Sequence, residues 1–349
     1  MLKRFINIWN PGVYHGKSAR DNFFEGWYIK LISPDMKKRW AIIPGVFNHP
    51  DPDRRHAFIQ VLNGMTNDVI YHRLSRDSFQ ASSSNFSVRI NDNYFHSDGC
   101  VIDINSQGQK IQGELKFEGI EPWPIRFFSP GVMGPYGLIP FMQTYHGVLS
   151  LNHGIQGNLV VNGQSLDFSN GRGYIEKDWG STFPRAYIWM QSNHFPEKEI
   201  SLIASVATIP WLGSWFRGFL IGFHVDDVLY RFTTYLGSTI KSLFVTDKYV
   251  TWSVLGNSRS SFINEYPQYE LIIRAERGNG GLLLSPELDG MTPRILESLT
   301  ASISVELNAL DKDGVEHKKI YQGTGICAGL EVAGSIEELV NIKPEEEQG

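Results

Sequence analysis

Two stretches of this sequence combine acids, amides and aromatic rings at strand spacing. In FFEGWY (23–28), an extended backbone puts Glu25 on one face with Phe23 and Trp27, and leaves Phe24, Gly26 and Tyr28 on the other. With the first face turned inward, a carboxylate sits in an aromatic wall. Desolvation then raises its pKa towards that of an acid still protonated near neutrality. The alternative is a strand glutamate paired with an arginine or lysine.

The segment GRGYIEKDWGSTFPRAYIWMQSNHF (171–195) is richer. Tyr174, Glu176 and Asp178 share one strand face, and Ile175, Lys177 and Trp179 the other. Two carboxylates two residues apart repel, so one is expected to hold a proton unless a cation lies between them. After the Phe-Pro-Arg bend, Tyr187, Trp189, Gln191 and Asn193 alternate with Ile188, Met190 and His194. Folded as a hairpin, the stretch would present an acid, hydrogen-bonding amides and aromatic rings to one small cavity. The competing reading is an ion-pair lattice of Arg172, Lys177 or Arg185 with the acids. Tyr145 and His146, in QTYHGVLSLNHG, add a further candidate base, as do His153 and His194. No ligand spacing among these histidines singles out a metal, and none is expected.

The elements that must position these residues read as strands. At roughly 150 residues per domain, 349 residues suggest two domains. Aromatics make up 13% of the chain and glycines number 34, which fits short strands joined by tight turns better than long helices. Hairpin turns are predicted at NSQGQ (105–109), at Asn162-Gly163, at Asp226-Asp227 and at KDG (312–314). Asn-Gly is the strongest of these, because a type I′ turn needs positive φ at both central residues. Helices are predicted only as short pieces, at SSSNF (82–86) and SIEELV (335–340). The reading is an all-β chain of two antiparallel barrel or sandwich domains, residues 1–163 and 164–349, divided near the Asn162-Gly163 turn.

Two apolar segments, 127–142 and 209–223, are read as a core-covering loop and a buried strand, or alternatively as a lipophilic portal and an interfacial patch. The second would give a peripheral contact with a membrane surface. The acidic end IKPEEEQG is read as a solvated, frayed tail.

Several function classes are excluded. Lys and Arg total 32 against 37 Asp and Glu, so no basic excess exists to neutralise nucleic acid. Cys100 and Cys327, the two cysteines, form neither a disulfide framework nor a thiolate zinc motif, and a cytoplasmic setting is expected. No apolar run is long enough to span a bilayer, and the first residues lack the continuous apolar core of a signal peptide. Signatures for nucleotide, nicotinamide, serine-hydrolase and zinc-peptidase chemistry are missing.

Taken in order, these segments resemble the tocopherol cyclase family. FFEGWYIK is similar to its amino-terminal FFEGWYFKV-type signature, and YIEKDWGSTFPRAYIWMQSNHF to its central YSEKNWGxxFPRKWFWVQCNxF. FLIGFHVDDVLYRF and GICAGLEVAG (325–334) follow as its later strand pair and closing motif. The resemblance runs from about residue 22 to 334. It implies a calycin-like, lipocalin-like protein with a lipophilic site near the domain junction, and closure of a chromanol ring on a prenylated hydroquinone without a redox cofactor. Asp178 stands where the plant pattern has asparagine and His194 where it has an apolar residue, which makes Glu176 the preferred acid.

Such a ring closure needs a proton delivered to an alkene, a tertiary cation held briefly, and a phenol oxygen placed beside it. Glu176 or Glu25 would donate the proton. Trp27, Trp179, Tyr187 and Trp189 would hold the cation and exclude water. Gln191, Asn193 or Tyr174 would orient the hydroxyls, with Tyr28, Tyr145 and His146 lining the site, and Asp178 or His194 would accept the phenolic proton. The partner implied is a lipophilic small molecule. Hydration of an isoprenoid, another pericyclic closure, or plain binding of a lipophilic ligand are the alternatives on the same fold.

Overall fold

The computed structural model describes residues 9–18, 22–127, 129–140, 142–211, 213–257 and 266–340. The acidic tail, Phe128, Phe141 and Leu212 of the two apolar segments, and residues 1–8 lie outside them. Among the described residues the chain is all β, with only short 3-10 helices besides the strands.

The chain separates into two compact units, Met1–Phe183 with Gly281–Ile295, and Pro184–Gly280 with Leu296–Gly349. The Asn162-Gly163 turn lies inside the first unit. Asn162 and Gly163 take φ of 51° and 84°, as the turn chemistry requires, and close a hairpin there.

The first unit holds β1 (Phe23–Ile32), β2 (Arg39–Asn48), β3 (His56–Asn63), β4 (Asp68–Ser75), β5 (Phe79–Ala81), β6 (Ser87–Ile90), β7 (Asn93–His96), β8 (Gly99–Ser106), β9 (Gln109–Glu118), β10 (Thr144–Val161), β11 (Gln164–Asp167) and β12 (Gly171–Gly180). They form one antiparallel sheet in the order β4-β3-β2-β1-β12-β10-β9-β8-β7-β6-β5, with β11 on β10. β1 and β12 lie at its centre and are buried on both faces, which is why FFEGWYIKLI reads as a nearly continuous apolar run. β8 alternates buried and exposed residues instead, as a strand with one wet face does. The core gathers Trp27, Ile29, Leu31, Ile42, Val46, Phe95, Leu115 and Ile175.

The second unit holds β13 (Ala186–Ser192), β14 (Ser201–Trp211), β15 (Ser214–Val225), β16 (Val228–Thr233), β17 (Thr239–Val245), β18 (Tyr249–Asn257), β19 (Gln268–Glu276) and most of the pair formed by β21 (Gly290–Leu310) and β22 (Glu316–Gly334). β20 (Gly281–Glu287) belongs to the first unit. The sheet order is β16-β15-β14-β13-β22-β21-β19-β18-β17, with β20 on β21. Its core takes Ile188, Met190, Leu202, Ala204, Phe223, Trp252 and Ile303.

Four local expectations change. Residues 82–86 form no helix. Ser82 instead accepts from Tyr14 N–H and donates its own N–H to Ser87, closing the β5–β6 turn. SIEELV forms a single 3-10 turn, Ile336–Glu338. The 209–223 segment divides into a buried half, with Phe219, Ile221 and Phe223 in the core, and a hairpin tip where Trp211 and Trp215 are 46% and 41% exposed. The predicted hairpin around the Phe-Pro-Arg bend is absent. β12 pairs with β1 and β10, whereas β13 pairs with β14 and β22, so the two halves of the long motif lie in different sheets.

Candidate active site

Register decides which side chains of β1, β12 and β10 meet. Glu25 lies opposite Trp179, Trp27 opposite Lys177, Tyr28 opposite Glu176, and His146 opposite Asp178. Partners opposite one another point to the same side. One face therefore carries Glu25, Trp27, Lys177, Trp179 and Tyr145. The other carries Tyr28, Tyr174, Glu176, Asp178 and His146.

The first face is a structural lock. Lys177 Nζ is 2.6 Å from Glu25 Oε1, both side chains being fully buried, and it also donates to Val13 O at 2.5 Å and to His15 Nδ1 at 2.9 Å. Its ammonium lies 4.8 Å from the Trp27 ring and 4.7 Å from that of Trp179. Glu25 in turn accepts the backbone N–H of His15 and of Gly16. His15 stacks on Trp179 at 4.1 Å, and Tyr145 stacks on Trp179 at 5.5 Å. Gly147 has no side chain because Pro11 sits there, where a Cβ would come within 2.6 Å of it. Residues 11–16 are thus strapped across the sheet by one ion pair.

Glu25 is consequently not the protonated acid of the sequence reading. Burial alone would raise its pKa, but the Lys177 charge and the His15 contacts outweigh burial and hold it below the usual carboxylate range. Burial draws Lys177 down to about 8 against the pull of Glu25. The Glu25 carboxyl titrates lower in the folded chain than in the unfolded one. Its contribution to stability is therefore full above about pH 4.5 and is lost as the pH falls through the folded value. Unfolding followed against pH is expected to show a flatter acid limb in a Glu25→Gln, Lys177→Met double variant than in the parent chain. Equal limbs would remove the pair from the acid response.

The second face carries a contiguous chain of ionisable side chains. His146 Nδ1 lies 2.8 Å from Asp178 Oδ1, and its Nε2 lies 3.5 Å from Glu176 Oε2. Tyr174 Oη donates to the same Glu176 oxygen. Side-chain exposure falls inward along this chain, from 26% at Asp178 through 13% at His146 to 6% at Glu176, and Tyr174 is fully buried. Burial and the neighbouring Glu176 push the Tyr174 hydroxyl well above the ordinary phenol value, so it serves as a neutral donor. The imidazole stands where repulsion between the two carboxylates requires a partner, and it can pass a proton between them. The ring beside Glu176 is Tyr28, 6.5 Å from Tyr174. Two of the three tryptophans expected to face a cation, Trp27 and Trp179, project from the opposite side of the sheet.

His146, Glu176 and Asp178 also offer one donor atom each within 4.8 Å of one another, a grouping that the histidine spacing did not show. His153 does not join them. It is buried against Phe117 and contacts Ser150, and burial lowers it to about 3, so it is a neutral core residue.

Tyr187, Trp189, Gln191, Asn193 and His194 all belong to the second unit and are buried there. Tyr187 Oη donates to Glu331 Oε2 at 2.6 Å, and Asn193 Oδ1 meets His194 Nδ1 at 2.9 Å. Sequence reasoning missed the strap residues His15 and Gly16, whose role is carried by backbone N–H groups, and Glu331, which lies far along the chain.

Three comparisons bear on this architecture. The chain is similar to the probable tocopherol cyclase, chloroplastic, of Oryza sativa subsp. japonica, at 21% identity over 92% of this chain and 77% of that protein. It is similar to the tocopherol cyclase, chloroplastic, of Zea mays at 24% identity, with the same shares covered. The crystal structure of CghA with Sch210972 superposes with a TM-score of 0.54 at 12% identity, covering 90% of this chain and 89% of that one, which shows the common lipocalin-like, all-β fold. Residues 99–334, which include β10, β12 and the whole Tyr174–Asp178 cluster, match the family described as Tocopherol cyclase-like. That span is well over half of the chain, and the protein belongs to the tocopherol cyclase-like family.

Proposed function

We propose that this protein is a cyclase that needs no redox cofactor and closes a chromanol-type ring on a lipophilic prenylated hydroquinone. The observation that carries the reading is the buried Asp178–His146–Glu176–Tyr174 chain on one sheet face, within the matched part of a family whose relatives include tocopherol cyclases.

In this mechanism Glu176, in its protonated form, donates to the less substituted alkene carbon and leaves a tertiary cation. Tyr174 Oη holds the resulting carboxylate, and the Tyr28 and Tyr174 rings share the face on which the charge develops. The phenol oxygen closes on the cation, its proton passes to His146 and Asp178, and the relay returns it to Glu176. One C–O bond forms, a carbon–carbon π bond is consumed, and the proton count is unchanged.

The test is incubation with a prenylated hydroquinone and mass spectrometry of the product. Cyclisation gives an isomer of unchanged mass that no longer oxidises to the quinone. A gain of one water would replace this reading with hydration, and binding without conversion would replace it with a lipocalin-like carrier. Treatment with a chelator is expected to leave turnover unchanged, because Glu176 and Asp178 are engaged by Tyr174 and His146. Loss of turnover with the chelator, restored by a divalent cation, would assign the three donors to a metal instead.

A further inference from the structure

The core of the first unit stops short of one end of its sheet. Trp40, Val61, Ile70 and Ile111 are buried core residues, Val161 packs against them, and beyond these side chains lies a cavity of about 250 Å³. Trp40 is opposite Leu31 on β1, and Leu31 shares a strand face with Trp27. The cavity therefore lies on the side of the sheet away from Glu176, and none of the residues lining it belongs to the proton relay. At the opposite end of the same core the strap seats Tyr14 against Phe23 and Phe79.

The floor of this cavity is apolar and its rim polar, the composition of a small-molecule site. Gln107, in the β8–β9 turn, donates from Nε2 to Tyr71 O on β4 at 3.4 Å and so ties the two walls together. Asp68, exposed at the rim, accepts the Thr66 hydroxyl on Oδ2 at 2.6 Å. Among the described residues these bonds leave Asp68 Oδ1 and Gln107 Oε1 as acceptors beside the opening. Asp68 is also the one charged residue in the lining, so an anion is repelled, whereas an ammonium brings donors and no acceptor. Space sets the rest. An apolar cavity of about 150 Å³ takes up benzene, and sites for drug-sized ligands begin at about 300 Å³. A volume of about 250 Å³ therefore suits one ring with a short side arm and is too small for a prenylated hydroquinone.

We propose that this end of the first unit is a second binding site, for a small arylalkyl amine, whose ring lies on the floor of Trp40, Val61, Ile70, Ile111 and Val161 and whose ammonium is held by Asp68 and Gln107. The proposal does not depend on the cyclase reading, since it uses other residues on the other face of the sheet.

The test is a ligand-detected NMR titration of the full chain with phenethylamine, a cation at neutral pH, and with phenethyl alcohol, its neutral counterpart. At low salt the amine is expected to bind about fivefold more tightly, the worth of one exposed ion pair, and added salt should narrow the gap. Asp68→Asn keeps an acceptor for Thr66 and should bring the amine down to the affinity of the alcohol. Val161→Phe, which fills the cavity from the β10 wall, should weaken both ligands at least tenfold. If that variant does not fold, Asp68→Asn carries the test alone, because its side chain is exposed and the core does not rest on it. Failure of the parent chain to bind the amine, equal binding of amine and alcohol, or an Asp68→Asn chain that keeps the preference would overturn the proposal.

Discussion

Replacing Lys177 by methionine is expected to destabilise the first unit by about 3–5 kcal/mol, the range for removing one partner of a buried ion pair. The reason is not the lost attraction alone. Glu25 would stay fully buried without its cation, left with the His15 ring at 3.5 Å and the backbone N–H groups of the strap, and the strap would lose its bonds from Nζ to Val13 and His15. Methionine keeps the contact with Trp27 and Trp179, so the change isolates charge from volume. Adding Glu25→Leu should recover much of the loss, since an apolar pair of similar size avoids burying any charge. Denaturant midpoints of the two single variants and the double variant measure this directly. A Lys177→Met chain as stable as its parent would mean that the pair fixes geometry without stabilising it.

Glu176→Gln is expected to lower turnover of a prenylated hydroquinone by about 10²–10⁴-fold, the usual worth of a positioned general acid. The fold should survive, because glutamine can still accept the Tyr174 hydroxyl, and circular dichroism should be unchanged. KM should move little, since the carboxyl donates its proton in the transition state. His146→Gln should reduce turnover less at the pH optimum and shift the pH profile. Full activity in Glu176→Gln would remove the acid from the mechanism.

The strands and their turns were legible because they are local. Alternating burial and positive-φ pairs such as Asn162-Gly163 and Asp226-Asp227 declare themselves within a few residues. The membership of each face was legible too: Tyr174, Glu176 and Asp178 do share one side. Which side holds the buried ion pair was not. FFEGWY places Glu25 with Trp27, but the register that brings Lys177 beside them depends on β1 meeting β12, and no local pattern encodes that pairing. The bend at Phe183 and Pro184 misled for the same reason. A proline turn shows that the strand stops, and not whether the next one pairs back. The aromatic excess was read as pocket wall, yet Trp27 is core and braces an ammonium.

The split membership of the first unit has a consequence for how the chain is made. β1 leaves the ribosome long before β12 and, at about 5–20 residues per second, waits roughly 7–30 s for its partner. Even then the unit is incomplete, because Gly281–Ile295 is still to come. Gln60 marks the gap: its carboxamide donates to Leu284 O at 3.2 Å and accepts from Leu284 N at 2.8 Å. A fragment ending at Phe183 would expose that strand face and leave Gln60 unmatched. The protein has two compact units but no expression boundary between them, and the amino-terminal half matures only after most of the carboxyl-terminal half has been synthesised.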